Sequence, residues 1–252
     1  MTSLLRRLLT ERLEDLAARQ LDPVEVAVLD SGIDTTHPDL KGRVAAAYTI
    51  ELVNGDSEIR ERDLGVNPDK LGHGTAVASI IAKIAPNARI IDYQVLGPQD
   101  LGASAAVIAA LRDVLARRPR IANMSLAVTA EFATRLLPLC EAAYRQGQVL
   151  VAAKRNMPLV DYGFPAEFSS CISVDIDSFP TSFHLRYLED HRIEYAANGE
   201  EIVVAATGGG YTVKTGTSFA TPAISGLCAL MLGAYPGLRS FEVKAALKAF
   251  AD

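Results

Sequence analysis

The sequence predicts an α/β fold on a mostly parallel sheet. Two observations carry this: short, nearly all-apolar runs recur along the chain, and helical apolar patterns lie between them. Length and composition agree, since 252 residues suit one large domain of this kind. With 49% hydrophobic and 22% charged residues and a mean hydropathy of +0.16, the chain has material for a buried core and no signature of disorder.

Leucines at 4, 5, 8, 9, 13 and 16 are spaced as on a helix over residues 3–20, with Arg6, Arg7, Glu11, Arg12, Glu14 and Asp15 left for its wet face. Leu21-Asp22-Pro23 ends it. Val24–Leu29 is a nearly all-apolar run that stops at Asp30, as a buried parallel strand does when it delivers a residue to its carboxyl end. Further runs of this kind are Arg89–Leu96, Ile121–Leu126, Val149–Ala153 and Ile172–Ile176. Between and around them, helical patterns span His73–Ile84, Leu101–Ala116, Glu131–Arg145 and Ser218–Leu232. Residues 51–72 and 177–192 read as the longest irregular stretches, and loops of that size often serve function.

Composition also narrows the partners. A net charge of −5, with no basic cluster longer than Arg117-Arg118, argues against nucleic acid. Cys140, Cys171 and Cys228 are odd in number and each sits among apolar residues, so no disulfide framework is implied. Charges interrupt the N-terminal leucines before they make a signal peptide, and no membrane-spanning segment is read. These features together predict a cytoplasmic protein, with membrane anchoring by the N-terminal helix as the lesser alternative.

Three segments carry chemistry. In Val26-Ala-Val-Leu-Asp-Ser-Gly-Ile-Asp34, a hydrophobic strand ends in the carboxylate of Asp30, which needs a partner or caps the turn through Ser31-Gly32. In Gly72-His-Gly-Thr-Ala-Val-Ala-Ser79, His73 stands between two glycines at the start of an apolar helix, as a base or as a cap. In Thr215-Gly-Thr-Ser-Phe-Ala-Thr-Pro-Ala-Ile-Ser-Gly226, Ser218 opens a long apolar helix. There its backbone N–H and the helix dipole favour an oxyanion, or the side chain serves as an N-cap. Together, in the order Asp, His, Ser, they supply an orienting carboxylate, a general base and a hydroxyl nucleophile.

These segments resemble the Asp, His and Ser boxes of the subtilisin-like serine peptidases. The resemblance runs over roughly residues 24–245. It implies a three-layer fold with a central, mostly parallel sheet and helices on both faces, a peptidase domain over 24–252 and an N-terminal helical extension over 1–23. It also implies endopeptidase action through an acyl-enzyme on Asp30, His73 and Ser218, on a protein or peptide substrate and without a cofactor. In Val151-Ala-Ala-Lys-Arg-Asn156, Asn156 matches the family's oxyanion donor, with the Ser218 N–H as the second. Asn123-Met-Ser-Leu-Ala127 is similar to the strand whose edge pairs with substrate, which assigns Ser125, Leu126 and Ala127 to substrate binding.

The pattern breaks at the primary pocket. The family has small residues before the oxyanion asparagine and after the Ser-Leu of the substrate strand, where this chain has Lys154-Arg155 and Ala127-Val128. Either Arg155 or Lys154 reaches the pocket and favours an acidic side chain, or both point away. A self-blocked site awaiting activation is a further alternative. The calcium loop that family members insert after the His box is missing, because Ala82-Lys-Ile-Ala-Pro86 leads directly to the next strand. Asp34-Thr-Thr-His-Pro-Asp39 reads as a surface turn rather than a metal site, and Gly208-Gly-Gly210 as a turn before Tyr211–Thr215. The short segment before Val24 resembles intracellular members of the family, and it packs on the domain, on a regulatory partner or across the cleft. Two rival readings are a subtilase scaffold kept for binding or regulation, and a cysteine enzyme using Cys140 or Cys171.

Overall fold

The structure is a computed structural model and describes residues 2–53, 56–97, 103–157 and 161–252. In chain order its elements are α1 (Ser3–Leu8), α2 (Leu13–Ala17), β1 (Val24–Asp30), β2 (Val44–Val53), β3 (Asp56–Glu61), α3 (His73–Ile84), β4 (Ala88–Gln94), α4 (Ala103–Arg117), β5 (Ile121–Met124), α5 (Ala130–Arg145), β6 (Val149–Ala153), β7 (Cys171–Asp177), β8 (Leu185–Tyr187), β9 (Tyr195–Asn198), β10 (Ile202–Ala205), β11 (Tyr211–Lys214), α6 (Thr217–Ala234) and α7 (Ser240–Phe250). Leu101 and Gly102, which the helical pattern before Ile121 includes, lie outside the described residues.

Nine of the described strands form one sheet in the order β3-β2-β4-β1-β5-β6-β7-β9-β8, while β10 and β11 pair separately. The sheet is parallel except at its rims, where β3 runs antiparallel to β2 and β8 to β9. Its centre holds the apolar runs: β5 and β6 are buried throughout, and β1 everywhere except Glu25. A strand covered on both faces needs such a run. On one face Val26, Val28, Val149 and Val151 pack under α3 and α6; on the other Ala27, Leu29, Leu150 and Ala152 pack under α4 and α5. Strand alternation thus builds three layers with two cores.

The N-terminal segment differs from the single helix predicted. Two short helices form, because Thr10 Oγ1 donates to the Arg7 carbonyl at 2.8 Å and the Thr10 and Glu11 N–H groups bond three residues back. This local bonding competes with helix propagation. Leu5, Leu8, Leu13 and Leu16 are buried in the α3/α6 core, and Tyr235 donates to Glu11 Oε1 at 2.8 Å, so the segment packs on the domain itself. The stretch 51–72 also contains β3, whose largely polar, mostly exposed residues show no strand pattern in the sequence. The stretch 177–192 contains β8.

By length and composition α6 suffices to cross a membrane, yet 89% of it is buried inside the domain. It is the central core helix, and it aims its N-terminus at the carboxyl end of the sheet.

Candidate active site

Asp30 is fully buried at the tip of β1, and its Oδ1 accepts from the Ser31 N–H at 2.7 Å and from His73 Nδ1 at 2.7 Å. His73 opens α3 after Gly72, whose φ of 69° is left-handed and suits glycine. Gly74 then lets this helix meet the β1 turn, because a Cβ there would lie 2.2 Å from the Gly32 carbonyl oxygen. Any larger residue would push His73 away from Asp30.

A second carboxylate ties the two together. Asp69 is buried and accepts from Ser31 Oγ, from the Leu71 and Gly72 N–H groups, and from both the N–H and the hydroxyl of Thr75. Ser31 Oγ in turn accepts from the Gly74 N–H at 2.9 Å. Sequence reasoning missed Asp69; its one signal was a carboxylate one helical turn before His73. Burial of the His73 ring opposes its protonation, but the charge and hydrogen bond of Asp30, with a smaller contribution from Asp69, outweigh burial and an opposing Lys214. Its pKa is therefore raised above the ordinary histidine value.

Ser218 sits in the first turn of α6 and is half-buried. Its hydroxyl donates to the Ser125 carbonyl at 3.1 Å rather than to His73, and Ser125 Oγ donates back to the Ser218 carbonyl at 2.8 Å. Asn123 and Ser225 extend this buried network. The His73 ring lies 5.3 Å from that of Phe219, the next residue of α6. His73, Ser125, Leu126 and Ala127 line one cavity of about 530 Å³, together with Leu71 and Leu96. Asn156 Oδ1 accepts from the Thr217 N–H at 3.1 Å and from its hydroxyl at 3.0 Å. With its oxygen so held, the exposed Asn156 side chain is tied to Thr217, the residue before Ser218.

The structure therefore brings Asp30 and His73 into direct contact and sets Ser218, Asn156 and Ser125 around one helix start. Leu126 and Ala127 border the same cavity. Lys154 pairs with Asp175 at 2.5 Å, while Arg155 pairs with Asp161 at 3.2 Å and donates to the Val128 carbonyl at 3.2 Å. Both cations already have carboxylate partners.

The segment 34–39 is a turn with Thr36, Pro38 and Asp39 exposed, as expected, but two of its polar groups point inward: Asp34 and His37 are buried, His37 Nε2 lies 2.8 Å from the Gly210 carbonyl, and the Gly208 N–H donates to Asp34 Oδ2 at 2.8 Å. These polar contacts lock the β1 turn to the β10–β11 hairpin, which replaces solvent as the hydrogen-bonding partner. No group of three or more His, Cys, Asp or Glu fit to hold a metal occurs among the described residues. All three cysteines are buried and unpaired. A hydrogen bond to Cys140 and burial raise the Cys171 thiol pKa, and burial raises that of Cys228, opposite to what a thiolate nucleophile needs.

Residues 22–252 match the Subtilase family, Peptidase_S8. The chain belongs to that family, whose members are serine endopeptidases. Among its relatives are Subtilisin DY of Bacillus licheniformis, 30% identical over 88% of this chain and 81% of that protein, and the Intracellular serine protease of Paenibacillus polymyxa, 31% identical over 82% and 66%. The Thermophilic serine proteinase of Bacillus sp. (strain AK1) is 30% identical over 90% of this chain, which spans 56% of that relative's length. Among solved structures, Sphericase superposes with a TM-score of 0.73 at 24% identity, covering 94% of this chain and 87% of that one, and supports the fold.

Proposed function

We propose that this chain is a serine endopeptidase acting through an acyl-enzyme on Ser218. The observation that carries the reading is the 2.7 Å contact between His73 Nδ1 and the fully buried Asp30, with the His73 ring 5.3 Å from that of Phe219, the residue after Ser218 at the start of α6. Asp30 holds the proton on Nδ1, leaving Nε2 as the base. Ser218 turns from the Ser125 carbonyl toward His73, gives up its proton and bonds to the scissile carbonyl carbon. The Asn156 side-chain amide and the Ser218 N–H stabilise the oxyanion. His73 then protonates the leaving amine as the C–N bond breaks, and water attacking with the same base releases the acyl group. An extended peptide lies along Ser125, Leu126 and Ala127 at the end of β5.

Residues 24–252 are the peptidase unit on this reading and residues 1–23 a helical extension of it. Cytoplasmic action on a dedicated partner protein is the setting we favour, supported by the likeness to an intracellular serine protease. The resting hydrogen bond from Ser218 to Ser125 favours a second reading, a scaffold whose catalysis is weak or awaits a regulatory partner. Digestion of an unfolded protein, read by mass spectrometry, separates the two. New termini produced by the native chain and abolished by Ser218→Ala are expected; none, at any enzyme concentration, leaves the regulatory reading.

A further inference from the structure

Arg155 and Ala127 lie on the two segments that flank Ser218. Ser218 donates to the Ser125 carbonyl, and Thr217 donates to Asn156. A carbonyl carbon attacked by Ser218, with its oxygen toward Asn156, therefore stands between residues 125–127 and 154–156. The side chain on the acyl side of that carbonyl has to enter the gap between these segments.

Residues 162–164 bridge the gap. The Val128 N–H donates to the Phe164 carbonyl at 2.8 Å and the Arg155 N–H to the Tyr162 carbonyl at 2.7 Å. Gly163, between these two bonds, touches both walls: a Cβ there would lie 2.7 Å from Ala127 Cβ and 3.4 Å from Arg155 Cβ. Gly163 itself has no space for a methyl group, which would meet Ala127. Arg155 then crosses from one wall to the other, donating to the Val128 carbonyl at 3.2 Å, with Asp161 at 3.2 Å holding its guanidinium.

We propose that Arg155, with Ala127 packed on Gly163, reduces the pocket for the acyl-side residue to a shallow depression, so that the enzyme cleaves after glycine, alanine or serine. The inference rests on the serine-peptidase reading above. A carboxylate side chain is disfavoured as well as a large one, because it would have to displace Asp161 from Arg155. A large apolar side chain would have to expel the guanidinium from its carbonyl and leave that ion pair broken in a partly buried site.

The test is hydrolysis of a peptide mixture varied only at the acyl-side position, using the full chain. Rates are expressed as ratios within each variant, so that differences in active fraction cancel. The native chain is expected to cleave after Gly, Ala or Ser at least about tenfold faster than after Phe or Leu, the scale on which hydrophobic pockets discriminate size. Arg155→Gly should reduce that ratio at least about tenfold. Ala127→Gly, which keeps Arg155 and removes one methyl, should move it the same way by less. A native preference for Phe, Leu, Asp or Glu, or a ratio unchanged in both variants, overturns the proposal. A chain whose Ser218 takes up no fluorophosphonate overturns the peptidase reading itself; a labelled chain with the wrong preference overturns only this inference.

Discussion

Asp69→Asn probes how the two halves of the site are held in register. Asp69 is 3% exposed, and its carboxylate accepts five hydrogen bonds of 2.6–3.1 Å, three at Oδ1 and two at Oδ2. Asparagine keeps one acceptor oxygen. With that oxygen on the Oδ1 side, the amide NH2 faces the N–H of fully buried Thr75, which is left without an acceptor. A hydrogen bond to a charged group contributes about 1.5–3 kcal/mol, and an unmet buried donor costs about 1–3 kcal/mol. A net loss of about 2–4 kcal/mol follows, or roughly 5–15 °C in melting temperature for a domain of this size. Because Ser31 and the Gly72–His73 segment lose their common anchor, kcat/KM should fall roughly 10- to 100-fold, the scale of a misplacement near 1 Å.

A purely structural residue would stop there, but the Asp69 charge also raises the His73 pKa. Activity needs neutral His73, so kcat/KM rises with pH through that pKa, and Asp69→Asn should move this limb to lower pH. Thermal melting would be followed in a Ser218→Ala background and the pH profile with a cleaved peptide. A variant that melts within about 1 °C of the parent and keeps its acidic limb would refute the reasoning.

Other perturbations have separate readouts. Asn156→Ala should lower kcat about 100- to 1000-fold with KM nearly unchanged, since the amide acts on the oxyanion and not the ground state; a KM effect alone would contradict this. Burial pushes Asp92 up to about 7 despite Arg62 beside it, so the native state holds a proton there that the unfolded chain releases near its ordinary value of 3.8. That contribution to stability is present below this value and is lost as pH rises through about 7; urea denaturation of Ser218→Ala between pH 4 and 8 should show the decline, and Asp92→Asn should flatten it. Leu16→Ala, at a fully buried position of α2, should destabilise the protein by about 2–5 kcal/mol if the N-terminal segment belongs to the core. Urea denaturation with no loss would place that segment outside it.

The central layer was legible because buried parallel strands demand nearly all-apolar runs, and Val26–Leu29 and Val149–Ala153 are such runs. The rims were not. Asp56–Glu61 is a strand because β2 offers it an edge to pair with, and a pattern of mostly exposed residues cannot show that. The small β10–β11 ribbon likewise leaves Val203, Tyr211 and Val213 exposed. At the site, the sequence pointed to Asp30 and His73 through strand-end and helix-start positions, and the structure puts them in contact. What it hid were contacts made across the chain: Asp69 gathering five donors, Asp34 and His37 buried against residues 208–210, and Asp161 holding Arg155. Each depends on loops whose path no local periodicity records.

The most direct measurement of the account is covalent labelling of the full chain by a fluorophosphonate, with the modified residue located by mass spectrometry. The account predicts one adduct on Ser218, absent from Ser218→Ala and strongly slowed in His73→Ala and Asp30→Asn. No adduct, or one on another residue that persists when Asp30 and His73 are changed, would contradict it.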